Sequence, residues 1–146
     1  MKRHIEPHPP AVTAAQRRAL LEAAAKVVRH AHAPYSKYRV GAAVLTEEGL
    51  IFSGCNVENA SYGLTICAER VAVFSAVAAG CSAITAVAIV ADGAATPYPC
   101  GACRQVLAEF CGPETPIYVA RAAPRVRATT LKLGRLLPLR FRLLPS

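Results

Sequence analysis

The sequence has no apolar run long enough to cross a membrane as a helix. Its most apolar stretch, around Ser75 to Ala91, is interrupted by Gly80, Ser82 and Thr85, whereas a span needs about 20 consecutive apolar residues. The opening Met1-Lys2-Arg3-His4-Ile5-Glu6-Pro7 carries basic side chains with no apolar segment behind them, so no secretory signal is read there. With no export route, the expected compartment is the cytoplasm. The six cysteines are then expected to be metal ligands and buried thiols, not disulfides. Charge is sparse, at 18% of residues, and acid is the scarcer sign, leaving a net charge of +8. The basic residues gather late, at Arg121, Arg125, Arg127, Lys132, Arg135, Arg140 and Arg142. That tail lacks the interleaved aromatics on which single-stranded bases stack. It is therefore read as the solvated face of a basic protein, and nucleic acid is not an expected partner.

What is present fits one domain over residues 1–146, a common size for a folding unit, with no internal repeat. Hydrophobic residues make up 53% of the chain, enough for a core and a hint of self-association. Pro7, Pro9 and Pro10 make residues 1–12 an expected flexible arm. Thr13-Ala14-Ala15-Gln16 reads as a capping box opening a helix, with Leu20, Ala24, Val27 and Val28 at helical spacing and Pro34 as its stop. His30 and His32, two apart, face different ways and are read as surface or capping residues. Val40–Leu45 and Leu50–Cys55 read as strands of a hairpin turning at Thr46-Glu47-Glu48-Gly49. A second helix is expected from about Ile66 to Ala79, capped by Thr65 and stopped by Gly80. Ile84–Val90 is a continuous apolar run, as a fully buried strand requires. A third helix over Gly101–Cys111, a strand at Pro116–Arg121 and a last strand within Val126–Thr130 complete the expectation. The alternation of strands and helices predicts an α/β fold with helices packed on a mixed sheet.

The chemistry is concentrated in two short blocks, Cys67-Ala68-Glu69 and Pro99-Cys100-Gly101-Ala102-Cys103. A Cys-x-x-Cys pair can occupy two corners of a zinc tetrahedron, and Cys67 supplies a third. The fourth corner is left for water, which separates catalytic from structural zinc sites. Glu69, two residues from a thiol, is placed to handle that water's proton. This arrangement matches the established zinc deaminase pattern of three thiols, or two and a histidine, with a non-ligand glutamate and P-C-x-x-C. Both blocks open expected helices, where free N–H groups favour thiolates. Asn56 and Glu58, two apart in an extended stretch, project to one side and can grip a sugar hydroxyl as donor and acceptor. Cys55, Cys81 and Cys111 are read as buried small hydrophobes.

Beyond the zinc motif, Asn56-Val57-Glu58-Asn59-Ala60-Ser61-Tyr62-Gly63-Leu64-Thr65-Ile66 running into Cys67-Ala68-Glu69-Arg70 resembles the small cytidine deaminases of the homotetrameric type. Pro34-Tyr35-Ser36-Lys37, Val40-Gly41-Ala42-Ala43, Cys103-Arg104-Gln105-Val106-Leu107 and Leu136-Leu137-Pro138 match the same family. The resemblance implies a three-layer α/β/α sandwich around a mixed five-stranded sheet, one Zn²⁺ per chain, and a homotetramer. It implies hydrolytic deamination of cytidine and 2′-deoxycytidine in pyrimidine salvage. Cys67, Cys100 and Cys103 are then the metal ligands and Glu69 the catalytic acid–base. Arg70 withdraws charge from the ligand sulfurs, Asn56 and Glu58 hold ribose, and the Ala68 backbone contacts the pyrimidine. Tyr38 stands where the family usually has phenylalanine near the base, and Arg39 where proline is usual. Phe141 matches an aromatic that family members lend to a neighbouring subunit's site, and Tyr62 is expected at such an interface. Two alternatives stand beside this reading. One is a deaminase of cytosine in RNA or DNA, or of a cytosine nucleoside antibiotic. The other is a structural zinc module binding nucleic acid, which would need a fourth ligand and leaves Glu69 without a purpose.

Overall fold

A computed structural model describes residues 11–122 and 127–143. The expected arm over residues 1–12 lies outside the described residues except for Ala11 and Val12. Thr13 opens the first helix, α1 (Ala14–Val27), with the predicted reciprocal cap. Its hydroxyl accepts from the Gln16 N–H at 3.1 Å, and Gln16 Oε1 accepts from the Thr13 N–H at 3.0 Å. The helix buries Leu20 and Ala24, and Val28 continues the stripe in a 3-10 turn over Val28–His30.

Five strands form one mixed sheet: β1 (Arg39–Thr46), β2 (Ile51–Cys55), β3 (Ile84–Asp92), β4 (Pro116–Arg121) and β5 (Thr129–Lys132). Their order is β2-β1-β3-β4-β5, with β3 and β4 parallel and the other pairs antiparallel. The last strand lies slightly later than expected, and Val126 falls outside the described residues. A one-turn helix, α4 (Leu133–Leu136), follows it directly and was not expected, because four residues are too few to show a period.

The central strands read by alternation. Ala43, Leu45, Ala86, Ala88 and Val90 face α1, while Ala42, Val44, Val87, Ile89 and Ala91 face the opposite layer. That layer holds α2 (Ala68–Ala78), α3 (Gly101–Phe110) and α4, which bury Ala72, Val73, Ala76, Leu107 and Leu133 against the sheet. The result is the expected three-layer arrangement. Its helices lie unusually close to the sheet at two glycines. A Cβ on Gly41 would stand 2.2 Å from the Ala24 carbonyl oxygen of α1, and one on Gly54 2.5 Å from the Ala72 nitrogen of α2.

The second helix begins later than its sequence suggests. Ile66 is not helical but pairs with Val57, exchanging backbone hydrogen bonds of 2.9 and 3.0 Å. Thr65 does not cap; its hydroxyl accepts from the Asn59 N–H at 3.3 Å. Threonine is the stronger local start signal, but the bridge to Val57 holds the chain extended until Cys67.

Candidate active site

The two ligand blocks meet on one side of the sheet because each opens a helix of the same layer. Cys67 is the N-cap of α2 and Cys100 the N-cap of α3, and neither makes a side-chain capping hydrogen bond. The Sγ atoms of Cys67, Cys100 and Cys103 all lie within 4.8 Å of one another, with Cys67 and Cys100 3.9 Å apart. A tetrahedron with Zn–S bonds of about 2.3 Å has S···S edges of about 3.8 Å, so the three thiols fit zinc with little movement. Among the described residues no fourth His, Cys, Asp or Glu completes this group. The described residues thus supply three of the four ligands of a tetrahedral site.

The thiols are electrostatically unequal. Hydrogen bonding, first from Cys103 and then from Arg70 and Cys100, pulls Cys67 down to about 5. Cys103 is pushed up by the same pairing, and its burial adds to the rise. Arg70 Nη2 donates to Cys67 Sγ at 3.5 Å. Glu69 is only 5% exposed, and burial raises its carboxyl to about 7, with the Cys67 thiolate adding to the effect. A carboxyl poised there can both take and release a proton near neutrality.

Cys67, Cys100 and Glu69 line a cavity of about 480 Å³, together with Tyr38, Asn56, Glu58 and Ala68. Asn56 and Glu58 share one side of an extended segment, as predicted, and each is locked by the backbone around Tyr38. Asn56 Nδ2 donates to the Tyr38 carbonyl at 2.8 Å, and its Oδ1 accepts from the Val40 N–H at 2.9 Å. Glu58 accepts from the Tyr35 and Ser36 N–H groups at 2.9 and 3.2 Å, and from the Ser36 hydroxyl. The Ser36 hydroxyl bond is the main influence holding the Glu58 carboxyl below its usual range. The extra hydroxyl of Tyr38 finds a partner in the Ala95 carbonyl at 3.3 Å. Arg39 pairs with Asp92, its cross-strand neighbour, and so lies at the sheet's end, not in the cavity.

Residues 14–119 match the family described as the cytidine and deoxycytidylate deaminase zinc-binding region. The chain belongs to the cytidine and deoxycytidylate deaminase family. It is 46% identical to a cytidine deaminase of Sporosarcina psychrophila over 82% of this chain and 86% of that one. A cytidine deaminase of Halalkalibacterium halodurans is 43% identical over 84% of this chain and 91% of its own. The crystal structure of cytidine deaminase from Burkholderia pseudomallei superposes with a TM-score of 0.76 at 48% identity, covering 85% of this chain and 98% of that one. The Mycobacterium tuberculosis enzyme superposes with a TM-score of 0.74 at 41% identity, covering 87% and 98%.

Within this deaminase-family chain, the expected site residue Phe141 and the expected interface residue Tyr62 stand away from the cavity. Phe141 is 71% exposed, its carbonyl accepting from Gln105 Nε2 at 3.2 Å. Tyr62 is also exposed and meets Tyr35 edge-on, with ring centres 5.7 Å apart. Of the cysteines outside the motif, Cys81 and Cys111 are buried as expected, and burial raises Cys111 to about 12. Cys55 is only half-buried, a correction that follows from its place at the end of an edge strand.

Sequence reasoning missed Arg104 and Ser36. Arg104 Nε donates to the Pro99 carbonyl at 2.8 Å and Nη1 to the Leu136 carbonyl at 3.0 Å, bracing the loop that delivers Cys100. Its sequence signals were its place beside the ligand Cys103 and within the family-matching block Cys103–Leu107. Part of the basic tail is also spent internally. Arg140 donates to the Ala108 and Cys111 carbonyls, and Lys132 pairs with Glu114 at 2.5 Å.

Proposed function

We propose that the cavity is the active site of a zinc-dependent hydrolase that converts cytidine and 2′-deoxycytidine to uridine and 2′-deoxyuridine. The observation that carries this reading is a buried carboxyl, Glu69, beside three thiols that no fourth His, Cys, Asp or Glu completes among the described residues. Similarity to proteins named cytidine deaminase supplies the substrate class. Cys67, Cys100 and Cys103 hold the metal. When bound, Zn²⁺ supplies the Lewis acidity that makes water nucleophilic near neutral pH. Three thiolates leave such a centre net negative, and Arg70 offsets that by donating to Cys67.

Glu69 takes a proton from the attacking water and delivers it to N3 of the pyrimidine as the oxygen bonds to C4. It then passes the second proton to the departing amine, so that the C–N bond breaks and ammonia leaves. Burial suits it to both tasks, since a carboxyl near neutrality is neither too weak a base nor too weak an acid. Asn56 and Glu58 hold the ribose. Their bonds to the backbone fix their rotamers and still leave an amide hydrogen on Asn56 and lone pairs on Glu58 for sugar hydroxyls. Tyr38 walls the base, and Ala68 acts through its backbone.

We assign the enzyme to pyrimidine salvage in the cytoplasm. Among the described residues no helix is long and apolar enough to cross a membrane. A homotetramer is supported by the exposure of Phe74, Val77, Leu139 and Phe141, apolar side chains that a lone chain leaves in water. Phe141 and Tyr62 then act at the site of a neighbouring subunit. The test is the fall in ultraviolet absorbance of cytidine with zinc-loaded protein, run beside Glu69→Gln. Turnover by the parent alone is expected; turnover by both would remove Glu69 from the chemistry.

A further inference from the structure

One wall of the cavity belongs to no helix or strand. Residues 93–98 leave β3 through Gly93, at φ +132°, and supply Ala95, Thr96, Pro97 and Tyr98 to the lining before the chain reaches Cys100. Side chains from elsewhere hold this segment. The Tyr38 hydroxyl donates to the Ala95 carbonyl at 3.3 Å, and Arg121 Nη1 donates to the Ala94 carbonyl at 3.1 Å. Arg39 pairs with Asp92 at its root, and Arg104 holds the Pro99 carbonyl at its far end. Its own backbone contributes only a local turn, Tyr98 N–H to the Thr96 carbonyl at 2.9 Å. Residues 93–96 are exposed, so no packed core fixes them.

We propose that Tyr38, through its hydroxyl, and Arg121 are positioning residues that clasp this segment into a fixed wall and thereby set how tightly the nucleoside is held. This rests on the cavity being the nucleoside site. It gives the Tyr38 hydroxyl, the group in which this chain departs from the usual phenylalanine, a specific task. The ring borders the base while the hydroxyl acts on the wall. The two bonds reach neighbouring carbonyls from the two strands that flank β3, Tyr38 from the entrance of β1 and Arg121 from the end of β4. Releasing either frees the span between Gly93 and Pro97, while Arg104 keeps the metal-bearing loop in place.

The experiment uses the full zinc-loaded chain as parent, Tyr38→Phe, Arg121→Ala and the double variant. Steady-state kinetics with cytidine are read beside hydrogen exchange of residues 93–98 by mass spectrometry. Tyr38→Phe is expected to raise KM about fivefold, the size of one lost neutral hydrogen bond, with a smaller change in kcat. Exchange in the segment should quicken while zinc content stays constant. The double variant should exceed either single. Faster exchange with KM unmoved would overturn the role of the wall in binding. A raised KM with exchange unmoved would mean that the hydroxyl touches substrate directly, and would also overturn the proposal. Exchange is read without turnover, so a protein inactive on cytidine would sink the functional reading while still reporting on the clasp.

Discussion

The helix that starts at Thr13 and the two that start at Cys67 and Cys100 solve the same problem in opposite ways. Every helix begins with N–H groups that lack partners. At Thr13 a side chain satisfies them with a reciprocal cap on the face of the sheet away from the cavity. At Cys67 and Cys100 the capping position is given to a thiol that caps nothing. The N–H groups and helix dipole are instead turned toward sites of negative charge, where they favour thiolates. One helix start serves folding, and two forgo part of their own stability to gather ligands.

Replacing Cys100 with serine should invert that trade most completely. Serine is a good cap and, as a neutral hydroxyl, a poor zinc ligand. The variant is expected to lose bound zinc and turnover, while its metal-free form unfolds at the same temperature as the metal-free parent or higher; metal analysis and calorimetry check both. Glu69→Gln should keep zinc and lose turnover by about 10²–10⁴-fold, the usual contribution of a positioned acid–base. Arg70→Ala should weaken zinc about 10–100-fold, read by competition with a chromogenic chelator. Unchanged affinity would show that the helix starts alone compensate the thiolates. The smallest effect belongs to the other end of the comparison. Thr13→Ala should lower stability by about 1 kcal/mol in denaturant titration, leaving kcat/KM as it was.

The same contrast explains what could be read in advance. The Thr13 cap was legible because capping is local: four consecutive residues contain the whole interaction. The zinc group was legible for another reason, since thiol spacing constrains chemistry whatever the fold around it. The start of α2 was not. Thr65 looked like the cap, and only the pairing of Ile66 with Val57, a contact formed in three dimensions, moved the boundary to Cys67. Arg104 and Arg121 were invisible as functional groups because they act on backbone carbonyls, and carbonyls carry no residue identity. Phe141 shows the converse: a sequence match gave it a role that one isolated chain has no surface to display.

The bare backbone at Gly41 and Gly54 has a consequence for anyone wishing to transplant this metal centre into another scaffold. Copying three cysteines and a glutamate would not be enough, because α2 stands where it does only while Gly54 presents no side chain to Ala72. An alanine there would wedge the helix outward and carry Cys67 away from its two partners. The specification to be copied includes the thickness of the sandwich, and it is written in atoms that are missing.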